Sequence, residues 1–163
     1  MKLVDAIGRV LHEHPVFNGL SEEEKELIAV CASLQVFPPG TYIYREDRPA
    51  ENFYLIRHGR VALEVYVPAR APIIVDTLRD DDPLGWSWLI PPYHTHFDAR
   101  ALDLTRVICF DAACLRDKME ENHTFGYALY KRMVPVLASR LAAARRQLID
   151  LYGRPDPKGA TWR

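Results

Sequence analysis

The chain has 163 residues, of which 48% are hydrophobic, with 21 basic and 22 acidic side chains and a formal net charge of -1. That length suits one domain plus an accessory helix, and that apolar share supports a packed core rather than a disordered chain. The balanced charge leaves no electrostatic footprint for nucleic acid, and no apolar run reaches membrane-spanning length.

The opening MKLVDAIGRVLHEHP is amphipathic and lacks the apolar block of a signal peptide, so a cytoplasmic address is expected. Leu3, Ala6, Ile7, Val10 and Leu11 recur at spacings of three and four, which predicts a helix over residues 2–13, stopped by Pro15. His12 and His14 are expected to be solvated at its end. Ser21 followed by Glu24 reads as a capping box, with Glu22, Glu23 and Glu24 at the positive end of a second helix. Leu27, Ile28, Cys31 and Leu34 form its expected buried side, and FPPG at 37–40 closes the region.

From 41 to 111 the helical spacing gives way to short β-rich runs separated by turn residues. TYIY (41–44) is one. NFYLIRHGRVALEVYV (52–67) reads as a hairpin turning at His58-Gly59. PIIVDTL (72–78) is followed by the polar cluster RDDDPLG (79–85), and FDARALDLTRVICFD (97–111) reads as two strands broken near Asp103. This spacing predicts a barrel or roll. AACLRDKMEEN is then a short helix, and Asn122 caps a longer one running to about Tyr152. Pro135 kinks or breaks it. Leu137, Leu141, Ala144, Leu148 and Leu151 form an a/d seam, and the arginines of SRLAAARRQ (139–147) read as the solvated face beside it.

Cys31, Cys109 and Cys114 are odd in number and scattered. They match neither a disulfide framework nor a zinc-site spacing, and read as reduced, partly buried thiols. No Ser–His–Asp or Cys–His arrangement is legible. No enzymatic activity and no cofactor are expected.

This order of elements, with FPPGTYIYRED, FYLIRHGRVAL and the segment around 84–101, resembles the cyclic-nucleotide-binding domain family. That family includes the sensor half of the bacterial cyclic-AMP receptor protein and the regulatory domains of cyclic-nucleotide-dependent kinases and channels. The resemblance covers roughly residues 9–150. It implies an α+β, mainly β fold: a double-stranded β-helix, or jelly-roll-like β-roll, flanked by N-terminal helices and a long C-terminal helix. The domain would span 1–152, including a C-terminal dimerisation helix, with 153–163 as a flexible tail. It also implies a regulatory sensor whose ligand signal passes through the C-terminal helices.

In the family, a phosphate-binding cassette opens with Phe-Gly-Glu and ends with Arg followed by Ser, Thr or Ala. The backbone N–H groups and the Arg hold the cyclic phosphate, and the Glu accepts from the ribose hydroxyl. The matching stretch here is LGWSWLIPPYHTHFDARA. Gly85 stands at the family Gly, Trp86 at the Glu, Thr95 at the Arg and His96 at the Ser/Thr/Ala. An indole only donates, and a Thr hydroxyl carries no charge for a phosphate. The candidate substitute cations are His96, when protonated, and Arg57 and Arg100. The candidate ligand-binding residues are Gly85, Trp86, Ser87, Trp88, Leu89, Thr95, His96 and Phe97.

The crowd of Trp86, Trp88, Tyr93 and Phe97 has two explanations. It forms a pocket for an apolar or flat ligand, or it fills the family's cavity and leaves a non-binding interaction module. His94, His96 and Asp98 alternate, and on one strand they would share a face as in a cupin-type metal enzyme. That motif needs a Gly six residues before the first His and a Glu four or five after the second, where this chain has Trp88 and Arg100 or Ala101. The partners expected are a small-molecule effector, either a cyclic nucleotide or an apolar flat molecule, and a second copy of the chain. No DNA-binding segment follows, so no DNA contact by this chain alone is expected.

Overall fold

Helical periodicity at both ends of the chain and β-rich runs between them sort the molecule into a roll with a helical cover. The computed structural model describes residues 2–153, so the expected tail at 153–163 lies, from residue 154 on, outside the described residues. Helix α1 (Lys2–Glu13) buries Ile7, Val10 and Leu11. A 3-10 turn at Pro15–Phe17 leads to α2 (Glu22–Ala29). The Ser21 hydroxyl accepts from the Glu24 N–H while the Glu24 carboxylate accepts from the Ser21 N–H, the reciprocal cap expected.

Two expectations fail in this region. The helix ends at Ala29, and strand β1 (Ala32–Phe37) follows, so Leu34 lies on a strand and is 43% exposed. Pairing with a strand more than seventy residues away overrides the local helical spacing. His14 is buried rather than solvated: its Nδ1 accepts from the Val16 N–H, and its Nε2 donates to the Asp81 carbonyl at 2.8 Å.

The roll continues with β2 (Tyr42–Tyr44), β3 (Asn52–His58), β4 (Val61–Val65), β5 (Ile73–Leu78), β6 (Pro83–Leu84), β7 (Asp98–Ala101) and β8 (Thr105–Asp111). They form two four-stranded antiparallel sheets, ordered β1-β8-β3-β6 and β2-β7-β4-β5. The expected hairpin at His58-Gly59 is therefore a crossing: β3 and β4 belong to different sheets, and Gly59 carries the chain from one to the other. Gly59 sits at φ +108°, and a Cβ there would come within 2.8 Å of the Thr105 hydroxyl. Only glycine meets both conditions without strain.

β3 and β8 are buried on both faces, which is why they read as continuous apolar runs. Tyr54, Ile56, Val107 and Cys109 face the roll interior with Val61, Leu63, Leu78 and Ala99. Phe53, Leu55, Ile108 and Phe110 face the helices and join Leu11, Phe17, Ile28, Leu115 and Phe125 in a second core. The helical cover is completed by α3 (Ala112–Glu121) and α4 (His123–Tyr152), capped by Asp111 and Asn122. α4 runs through Pro135 as one helix. Among the described residues no helix is long and apolar enough to cross a membrane.

The cysteines correct another expectation. Cys31, just after α2, and Cys114 on α3 form a disulfide across 83 residues of sequence, and only Cys109 is a free, buried thiol. Spacing could not show this pairing, because the packing of α2 against α3 creates it.

Candidate functional site

One cavity of about 510 Å³ opens between the second sheet and α4. Its roll wall comprises Leu63, Ile73, Ile74, Val75, Asp76, Trp86 and Phe97. Its helical wall comprises Arg140, Ala143, Ala144, Gln147, Leu148 and Asp150. The volume lies within the usual range for small-molecule sites, and the lining is predominantly apolar with a few polar groups, Asp76, Arg140, Gln147 and Asp150.

The cassette segment begins at Gly85, whose φ of +89° and whose contact with the Asn52 carbonyl, 3.3 Å from an added Cβ, both favour glycine. It caps a 3-10 turn, Trp86–Leu89. Within this turn the side chains diverge. Trp88 is fully buried on the helical side, its ring 5.8 Å from that of Phe53, and Leu89 lies in the same core. Trp86 turns the other way and lines the cavity. Ser87 is buried, its hydroxyl 3.2 Å from His96 Nδ1, and the His96 ring stacks on Trp86 at 4.9 Å between centroids. Phe97 lines the cavity beside Trp86.

Thr95 faces elsewhere. Its hydroxyl donates to the Arg45 carbonyl and accepts from the Arg48 N–H at 3.1 Å, closing the 45–48 loop. Tyr93 also leaves the group, lying under the Arg116 guanidinium at 4.3 Å. Of the four aromatic residues expected together, the cavity brings only Trp86 and Phe97 together. The substitute cations do not enter it: Arg57 pairs with Asp81 at 2.8 Å, and Arg100 pairs with the buried Glu64.

The cation at the site is Arg140, which the sequence assigned to a solvated face. Its guanidinium donates to Asp76 at 2.9 Å and to the Pro83 carbonyl at 2.9 Å, pinning α4 to the roll. The signal for it was present: Arg140, Ala143, Ala144 and Gln147 recur at i, i+3, i+4 and i+7, a second stripe beside the leucine seam. Small residues in that stripe leave room for the cavity. Deeper in the roll, burial holds the Tyr54 phenol up to about 12, the Tyr44 phenol higher still and the Cys109 thiol up to about 11. All three remain neutral near pH 7 and offer no charge to a ligand.

The metal alternative does not assemble. His94 and His96 precede β7 rather than sharing it with Asp98. His94 Nδ1 lies 3.2 Å from Asp47, His96 lies on Trp86, and Asp98 accepts from Arg45 Nε and the Glu46 N–H. Among the described residues no three His, Cys, Asp or Glu side chains gather to hold a metal.

The chain is similar to the HTH-type transcriptional regulator Cmr of Mycobacterium tuberculosis, with 26% identity over 134 residues, covering 81% of this chain and 53% of that protein. The chain thus spans about half the length of that relative. A cyclic nucleotide-binding protein from Geobacter metallireducens GS-15 superposes with a TM-score of 0.73 and 28% identity, covering 82% of this chain and 97% of that one. A cyclic nucleotide-binding domain from Methylobacillus flagellatus KT shares the fold at a TM-score of 0.76 and 14% identity, covering 95% and 86%. The sequence profile of the cyclic nucleotide-binding domain matches residues 34–122, more than half of the chain. With the β-roll, the Gly59 crossing and the Gly85 cassette in place, the chain belongs to the cyclic nucleotide-binding domain family.

Proposed function

We propose that this chain is a regulatory sensor in which a small molecule occupies the cavity between the roll and α4, and α4 passes the change on to a second copy. The observation that carries this is a shared helix. The inner stripe of α4 walls the cavity through Arg140, Ala143, Ala144, Gln147 and Leu148. A neighbouring stripe is apolar and exposed: Tyr127 at 68%, Tyr130 at 46%, Val134 at 57%, Leu141 at 73% and Leu148 at 56%. With Leu137 and Ala144 these positions repeat as a and d of a heptad, longer than the seam read from the sequence. Ala144 and Leu148 belong to both stripes, so a ligand that displaces the inner one moves the outer one. Such a shift needs a ligand with different affinities for the two helix positions.

The effector is not cyclic AMP or cyclic GMP held in the family manner. Trp86 offers no acceptor to a ribose, Thr95 faces the 45–48 loop, and Arg140 is already paired. The open cavity weighs against a module filled entirely by its own aromatics. Two measurements test the proposal. Sedimentation should show a dimer at tens of micromolar protein and a monomer for Leu141→Asp, which places a charge in the seam. Calorimetry at neutral pH should show weak or no binding of either cyclic nucleotide. A monomeric parent would remove the relay, and submicromolar nucleotide binding would overturn the assignment of the cassette.

A further inference from the structure

Resting on that cavity as the effector site, we infer that it takes a planar aromatic molecule bearing no negative charge, stacked on Trp86. His96 covers one face of the Trp86 indole, with 24° between the rings, and is itself held by the Ser87 hydroxyl. The indole is thereby fixed as part of the wall rather than free to swing into the space. Phe97 and Leu63 line the same space and supply further apolar contact. Fixed aromatic walls favour flat ring systems, which gain both area burial and offset stacking.

Charge sets the second half of the inference. The ionisable side chains of the lining are Asp76, Asp150 and Arg140, which sum to one negative charge. Arg140 is committed to Asp76 and the Pro83 carbonyl. An anion entering here meets no unpaired cation among the described lining residues. It either stays unpaired in an apolar space or breaks the Arg140 contacts that hold α4 in place. A neutral or singly positive ring system faces neither cost.

Three tricyclic probes of one shape separate charge from shape: acridine, uncharged near pH 8, proflavine as the cation, and acridine-9-carboxylate as the anion. Titrated against the full chain by fluorescence, acridine and proflavine should bind at least tenfold more tightly than the carboxylate. Trp86→Leu keeps an apolar wall but removes the stacking surface, and should weaken both by about tenfold. A circular-dichroism melt close to the parent's shows that this variant is folded; if it is not, Trp86→Phe with an intermediate affinity serves instead. Equal or tighter binding of the carboxylate overturns the charge half, and unchanged binding by Trp86→Leu overturns the stacking half. Sedimentation with bound proflavine keeps the sensor proposal separate. Binding at Trp86 without any change in assembly sinks the relay and leaves the ligand class standing. Tight cyclic-nucleotide binding that changes assembly, with none of the three probes bound, leaves the relay standing and sinks the ligand class.

Discussion

Trp86 and Trp88 are two residues apart and of one chemistry, yet their truncations should differ severalfold. Trp88 is fully buried among Phe53, Leu89 and the helical core, and its indole N–H has no hydrogen-bond partner among the described residues. Trp88→Ala therefore breaks no side-chain hydrogen bond. Its cost is lost burial plus the void, about 3–5 kcal/mol for an aromatic residue. Trp86 is half-buried against a cavity that already exists, so Trp86→Ala enlarges a hollow rather than opening one. It should cost less than about 1.5 kcal/mol. For a domain of this size each kcal/mol moves Tm by roughly 2–4 °C, so Trp88→Ala should melt roughly 6–20 °C lower and Trp86→Ala less than about 6 °C lower. Thermal and urea unfolding followed by circular dichroism, with a check that the urea slope is unchanged, measure both. If Trp86→Ala costs as much as Trp88→Ala, Trp86 is core, the cavity is not an open site, and the self-filled alternative returns.

Reduction of the Cys31–Cys114 bond, or Cys114→Ser, should lower stability by about 2–4 kcal/mol, since the bond closes a loop of 83 residues in the unfolded chain; coincident urea curves for fully oxidised and fully reduced protein would refute this. Arg140→Ala should speed amide hydrogen exchange in the second half of α4 while leaving α1 and β3 unchanged, because it removes both contacts that pin the helix to the roll. The bidentate hydrogen bond from Arg60, at 2.6 and 3.0 Å, holds the Asp103 carboxyl below its usual range. Its stabilising contribution is present above the unfolded carboxylate range near pH 4 and fades as pH falls through the lower folded value. Asp103→Asn should accordingly melt closer to the parent at pH 2 than at pH 6, and an equal gap at both would contradict that linkage.

What the amino-acid sequence determined alone is whatever depends on neighbours within about a turn. The stripe of Ile7, Val10 and Leu11, the Ser21–Glu24 cap, the Asn122 cap and the break at Asp103 all appear where they were read. Each rests on contacts spanning a few residues, which periodicity and capping chemistry report directly. The order of those elements, with FYLIRHGRVAL and with Gly85 at the family's cassette glycine, was enough to suggest the family that the profile match shows. Tertiary structure alone decided the rest, because the deciding partner lay far along the chain. Leu34 became strand through pairing with β8, Gly59 became a sheet crossing rather than a hairpin, and Cys31 met Cys114 across 83 residues. Trp86 parted from Trp88 when a 3-10 turn sent Trp88 into the helical core and Trp86 to the cavity beside α4. Arg140 became the cation of the site because two stripes share α4, and only packing against the roll determines which of them faces inward.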